Sequence, residues 1–220
     1  MGKRSDLKKD NQKKKKRVDE LDDLYEQTTL DVKKDVKDFD DLINLDCALD
    51  RNIFITDITG STGMGVDTVI RYWNKKDENI PIEDRKPIKI YIDSPGGSLT
   101  DSLTIADAIK ASKTPVIGIV IGCAYSGGFF IYLTCHKRYA YKHASFLYHE
   151  GSAGTQGTAN QFANFAAFYK KQLEQLKDIV IENTKITEEE YLNIRKDDIW
   201  YDVEEAMEKG IVDEIVEDLI

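Results

Sequence analysis

Cysteine, histidine and long apolar runs are all scarce in this chain, and each scarcity excludes a class of protein. Of the 220 residues only Cys47, Cys123 and Cys135 are cysteines. Their odd number and the lack of C-x-x-C spacing argue against a disulfide framework and a zinc site, so a reducing, cytoplasmic setting is expected, with no metal and no cofactor. No apolar segment approaches the length of a membrane span, and the chain opens on charge rather than on an apolar targeting core, so no membrane partner is expected. Imidazole is limited to His136, His143 and His149. Any chemistry that needs a neutral-pH base of that kind must use one of these three.

What is present is ordinary in amount and uneven in placement. A hydrophobic content of 41% with 10% aromatic residues suits a soluble chain with one sizeable core. Residues 1–17 hold nine Lys or Arg against Asp6 and Asp10, a net +7 that leaves −16 on the rest of a chain whose total is −9. The basic run Lys13 to Arg17 is read as a solvated arm, and the acidic body argues against nucleic acid as the main ligand. Residues 1–50 are therefore expected to be a charged, partly disordered tail or arm, with 18–50 forming either short surface helices or a segment that orders against a neighbouring subunit. Residues 51–220 are expected to be the folded domain.

From Asn52 onward, strand-like and helix-like patterns alternate. Ile53–Thr56, Ile88–Asp93, Val116–Ile121 and Ser145–His149 read as strands. Gly60–Gly65 reads as a loop, Val66–Trp73 as a helix, and Ser94–Gly97 as a break before a helix that shows Leu103, Ala106 and Ile109 on one face. This alternation implies α/β architecture, with βαβ units around a largely parallel sheet. Phe162, Phe165, Tyr169, Leu173, Leu176 and Val180 recur at helical spacing, which predicts one long amphipathic helix over 160–182. At 1.5 Å per residue it spans ~34 Å, more than one sheet face needs, so it is expected to project and to pack against another subunit.

Ser126 lies in Ala124-Tyr125-Ser126-Gly127-Gly128, between the apolar run that starts at Val116 and the helix-compatible Phe129–Leu133. A serine at a strand-to-helix turn presents its hydroxyl at the turn, near the positive end of the helix dipole, which is the setting of a nucleophile. Glycine and serine also punctuate ordinary turns, so the partners decide. His149 closes an apolar strand and precedes a glycine-containing loop, on the rim where sites gather in α/β sheets. His136 and His143 sit among Lys137, Arg138 and Lys142 and read as surface residues. Spacing alone selects no carboxylate from the 40 acidic residues.

Four blocks together, Tyr91-Ile92-Asp93-Ser94-Pro95-Gly96-Gly97, Gly122–Gly128, the strand ending in His149, and Asp198 upstream of Glu204–Asp213, resemble the Clp protease proteolytic subunit family, ClpP, over about residues 50–220. The resemblance implies a ClpP/crotonase-type fold with a long projecting helix and a serine endopeptidase. In that family's terms Ser126 is the nucleophile, His149 the general base and Asp198 the group that holds the imidazole tautomer, with Asp197 as the adjacent rival. The oxyanion donors fall on the backbone N–H groups of Gly97 and Gly127. Polypeptide substrate would lie along Gly96, Gly97, Ser98 and Leu99 and along Glu150 and Gly151. The family also implies a homo-oligomeric ring, a heptamer or stacked heptamers, and docking of an AAA+ unfoldase.

The chain departs from the family pattern at three places beside these residues. Gly127 stands where Met is common, Glu150-Gly151 where Gln-Pro is common, and Ile199 where Arg is common. That arginine couples stacked rings in the family, so single and double rings both stay open. The charged N-terminus replaces the family's apolar loops and leaves unfoldase docking open too. Glu150 either points inward and raises the pKa of His149 or is solvated. Two other readings remain: a catalytically weak ring or scaffold subunit, and a crotonase-type acyl-CoA enzyme that shares the S-P-G-G-like turn without a Ser-His-Asp set.

Overall fold

The computed structural model describes residues 39–220, so the basic run at 13–17 lies outside the described residues. Residues up to Asp50 and residues 51–220 form separate units. In the first, helix α1 covers Phe39–Leu49.

The second unit is built on seven strands: β1 (Asn52–Ile58), β2 (Ile88–Gly97), β3 (Val116–Tyr125), β4 (Lys137–Tyr141), β5 (Ser145–Tyr148), β6 (Ile199–Tyr201) and β7 (Glu214–Val216). Strand order is β1-β2-β3-β4-β7, every pair parallel, and β5 branches from β3 to pair with β6 in the single antiparallel ladder. Helices α2 (Thr62–Lys76), α3 (Leu99–Ala111), α4 (Gly127–Leu133), α5 (Ala159–Asn183), α6 (Glu188–Ile194) and α7 (Val203–Glu208) complete it. This is the α/β architecture with βαβ units that the alternating patterns imply.

Period-two burial shows how the sheet is covered. Ile88, Ile90 and Ile92 of β2 are fully buried, while Lys89 and Tyr91 are half-buried and Asp93 is exposed. Parallel sheets are usually covered on both faces, but here one face takes the helices and the other carries exposed Phe54 and Ile121. On the covered face, Val66, Ile70 and Trp73 of α2 recur at spacings of four and three and enter the core. The central α4 is buried at every residue.

Several boundaries differ from the sequence expectations, each because a distant contact overrides a local signal. Helix α2 starts at Thr62 rather than Val66, and the N–H of Gly63 in its first turn donates to Asp101 Oδ1 of α3 at 2.9 Å. A helix start satisfied from 38 residues away leaves no local mark. Ser94–Gly97 does not break β2. It is the end of the strand, with register shifts against both neighbours between Ile92 and Ser94 and between Ile55 and Asp57. Strand β3 runs on to Tyr125 because its second half has a new partner, β5.

Helix α5 opens with a capping box, Thr158 and Gln161 each bonding the other's backbone N–H. Its 25 residues span ~37 Å, and its apolar stripe divides in two. Leu176, Ile179 and Val180 are buried in the chain's own core and Leu173 packs against it, which corrects the expectation that the whole stripe serves another subunit. Phe162 and Phe168 at the other end stay 56% and 58% exposed.

Beneath α2, the guanidinium of Arg51 holds both oxygens of the buried Asp77 at 2.7 and 2.8 Å, donates to the Lys86 carbonyl and lies over the Trp73 ring. Thr114 Oγ1 donates to the same carboxylate at 2.9 Å. Burial pushes the Asp77 carboxyl up, but the Arg51 and Thr114 hydrogen bonds and the nearby positive charges more than reverse this, so it sits below its ordinary 3.8. Asp77→Asn is expected to cost about 3 kcal/mol at neutral pH, because it leaves a buried guanidinium unpaired. A depressed carboxylate stabilises the fold fully above its ordinary pKa and loses that contribution as pH falls through the folded-state value. Urea unfolding of both proteins from pH 7 downward should therefore show the gap closing on acidification; a pH-independent gap would refute the pairing.

Candidate active site

Ser126 stands where β3 passes into α4, in a backbone conformation that few L-residues adopt. Its φ is 53° and its ψ −118°, a strain of roughly 1–3 kcal/mol that persists only where the surroundings dictate it. They do so from both sides: the Ser126 N–H donates to the Leu147 carbonyl of β5 at 3.0 Å, and its carbonyl accepts from Phe130 N–H of α4. The side chain does not cap its own helix.

Two glycines are required around it. Gly97 has φ 147°, and a Cβ there would collide with the Ile58 carbonyl oxygen of β1. At Gly127 a Cβ would meet the Ser102 hydroxyl of α3, which is fully buried and donates to the Ser98 carbonyl at 2.9 Å. Ser102 therefore occupies the space that a larger residue after Ser126 would need, which accounts for glycine at 127. Ser98 itself is the N-cap of α3, bonded to Asp101 through both its hydroxyl proton and its oxygen.

A cleft of about 540 Å³ opens over this turn, lined by Gly97, Ser98, Leu99, Ser126, Gly127, His149, Glu150 and Gly151, with Phe130, Phe165, Tyr169 and Leu176 as its apolar wall. Of the residues singled out in the sequence, Gly96 lies beneath it, where a Cβ would press on that of Ser126. Asp198 is not among the residues that line the cleft. His149 follows β5 directly, and the antiparallel register Tyr148↔Ile199 sets Asp198, one residue before β6, across from it. His149 Nδ1 stands 3.6 Å from Asp198 Oδ1, longer than a hydrogen bond, and the Asp198 side chain is 64% exposed. No hydrogen bond joins Ser126 to His149 among the described residues. Asp197 points its backbone N–H to the Ile194 carbonyl. His136 and His143 are exposed; His136 Nδ1 accepts from Val116 N–H, so its other nitrogen carries the proton.

Glu150, which lines the cleft as expected, is paired rather than solvated. Its carboxylate accepts from Arg195 Nε at 2.8 Å, and its carbonyl accepts from the Tyr169 hydroxyl of α5 at 2.8 Å. Arg195 is also 3.7 Å from Glu174. On the other side of His149, the buried Tyr148 hydroxyl bonds that of Tyr191 at 2.8 Å, and burial pushes the Tyr148 phenol far above its ordinary range. Arg195 and Tyr191 carry no motif in the sequence, and Tyr169 is marked there only as part of the stripe of α5; tertiary pairing alone shows what they hold. Among the described residues no group of His, Cys, Asp and Glu has the arrangement of a metal site.

Comparison with known proteins bears on the family and on the fold. The Clp protease family profile matches residues 81–218. The ATP-dependent Clp protease proteolytic subunit 2 of Corynebacterium efficiens is 35% identical over 133 residues, 60% of this chain and 67% of that protein. Proteolytic subunit 1 of Streptomyces coelicolor is 33% identical over 133 residues, 60% of this chain and 61% of its own length. In fold, the chain matches a ClpP1 point mutant from Listeria monocytogenes with a TM-score of 0.69 at 24% identity, over 80% of this chain and 96% of that one.

The packing at Gly127 generates a paired test. Gly127→Ala should destabilise the protein by about 1–3 kcal/mol through overpacking, and Gly127→Ala with Ser102→Ala should recover most of that. Thermal unfolding of the two variants and of Ser102→Ala alone decides it; equal losses in single and double variants would show that the two side chains do not compete for space.

Proposed function

The chain belongs to the Clp protease family, and from that premise we propose that it is a serine endopeptidase in which Ser126 attacks, His149 takes and returns the proton, and Asp198 orients the imidazole. The observation that carries this reading is the strained Ser126 turn opening into the same cleft as His149. A serine hydroxyl is a weak nucleophile at its own pKa and needs a positioned base. With Nδ1 of His149 turned to Asp198, its Nε2 is left for the serine side, the tautomer that accepts the Ser126 proton and later delivers it to the leaving amine. The backbone N–H groups of Gly97 and Gly127 would hold the oxyanion, each worth about 3 kcal/mol of barrier. Catalytic hydrogen bonds are often long until substrate binds, which accommodates the 3.6 Å separation.

Substrate would enter as an added strand between Gly96–Leu99 and Glu150–Gly151, recognised mainly through main-chain hydrogen bonds with the apolar wall taking one side chain. Enclosure in a homo-oligomeric ring, fed by an unfoldase, would protect folded neighbours from so unselective a site. The exposed Phe162 and Phe168 of α5 suit a subunit contact better than solvent. A second reading, a ring subunit with weak turnover, draws on the exposed and loosely held Asp198.

Labelling with a serine-reactive fluorophosphonate, alongside hydrolysis of a model peptide, separates these readings. Wild type should label and cleave, and Ser126→Ala should do neither while melting normally; a wild type that neither labels nor cleaves supports the scaffold. Asp198→Asn should lower turnover by roughly 10²–10⁴-fold and Asp197→Asn hardly at all, because only Asp198 faces the imidazole. The reverse order would overturn the assignment. Phe162→Glu with Phe168→Glu should release smaller species in light scattering without unfolding, since charge at a buried contact is costly; unchanged size would remove α5 from the interface.

A further inference from the structure

His149 is the first residue beyond the ladder of β5, and the six residues from Gly151 to Gln156 adopt no regular structure. The sheet therefore fixes its backbone on one side only. What else holds it comes from α5, through the Tyr169 bond to the Glu150 carbonyl, and from α6 and the residue that ends it. Tyr148, before His149, bonds Tyr191 of α6 hydroxyl to hydroxyl. Glu150, after His149, is held by Arg195, the C-cap of α6. The Arg195 guanidinium lies 5.9 Å from the centre of the Tyr191 ring, so the two holds are themselves in contact. Three residues beyond Arg195 the chain reaches Asp198.

We propose that Arg195 is a positioning residue of this site, setting through Glu150 where His149 stands relative to Ser126, and fixing from the end of α6 where Asp198 begins. The proposal rests on the serine-peptidase reading. The Glu150 and Arg195 side chains are 23% and 22% exposed, so their ion pair is shielded from water far more than an ordinary surface pair. Glu174 of α5, itself paired with Lys177 at 3.0 Å, stands 3.7 Å from the guanidinium, and Tyr169 ties the Glu150 carbonyl to the same helix. With Arg195 removed, Glu150 loses its only charged partner among the described residues, and the backbone that carries the imidazole is held only by the Tyr169 and Tyr191 hydroxyl bonds, less firmly than before. A displacement of about 1 Å between reacting groups is enough to cost up to 10²-fold in rate.

The test is a double-mutant cycle on peptide hydrolysis, read beside fluorophosphonate labelling and thermal melting. Glu150→Gln and Arg195→Ala should each lower kcat by roughly 10-fold with KM changed less than about twofold, and labelling of Ser126 should slow in step. The double variant should be no worse than the poorer single, and Arg195→Lys should recover most of the loss. Unchanged kcat in Arg195→Ala, additive losses in the double variant, or losses that follow a falling melting point would each overturn the positioning role. If Ser126→Ala itself still cleaves and labels, the serine-peptidase reading fails and this inference with it. A silent Arg195→Ala in a protein that Ser126→Ala inactivates sinks the positioning role alone.

Discussion

The hydrogen bond from the Ser126 N–H to the Leu147 carbonyl joins the end of β3 to β5, and the geometry of the cleft depends on it. Strand β3 spends its first half beside β4 and its second half beside β5. That change of partner draws β5, with His149 at its tip, alongside the turn that carries Ser126. Strand β6 then adds antiparallel to β5 and delivers Asp198. Three residues 23 and 49 positions apart in the chain thus come together through two ladder registers. A slip of one residue in either would send the side chains to opposite faces.

The family departures beside these residues follow a common physical logic. Where Met is usual, Gly127 is matched to Ser102, whose buried hydroxyl fills the available volume. Where Gln-Pro is usual, Glu150 brings a charge, and Arg195 supplies its counter-charge from α6. Both of these departures are balanced by a residue far away in sequence but adjacent in space. Such pairs read as defects when one member is considered alone and as alternative solutions when both are seen.

Much of this was legible in the sequence because the signals were local. The apolar runs of β2 and β3, the 3.6-residue stripe of α5 and the strand-to-helix turn at Ser126 are short-range patterns, and all appear in the fold. Strands β4, β6 and β7 were not anticipated. They are three to five residues long, and β6 carries the exposed Trp200, so neither length nor alternation distinguishes them from loop. The Ser94–Gly97 segment was misread because proline and glycine normally punctuate, whereas here they form a bulged strand end. At the cleft, motif and scarcity make Ser126 and His149 candidates, and the resemblance assigns their roles. Asp198 could be chosen over Asp197 only through resemblance, and Arg195 could not be chosen at all, since its role exists only in the pairing with Glu150.

The three-residue strand β6 has a consequence for how the protein distributes its stability. Ser126 caps a helix that is buried at every residue, whereas Asp198, itself largely in solvent, hangs from a ladder of three pairs. Structure of this kind opens locally at a small fraction of the global unfolding free energy. The chain as a whole would remain folded while β6 frayed, so its backbone amides should exchange with solvent far sooner than those of β3. Whatever the neighbouring surface clamps onto β6, be it substrate or a second subunit, shifts that local equilibrium. The fraction of molecules with all three side chains in register would then be set by occupancy of an edge strand, with the rigid core unchanged.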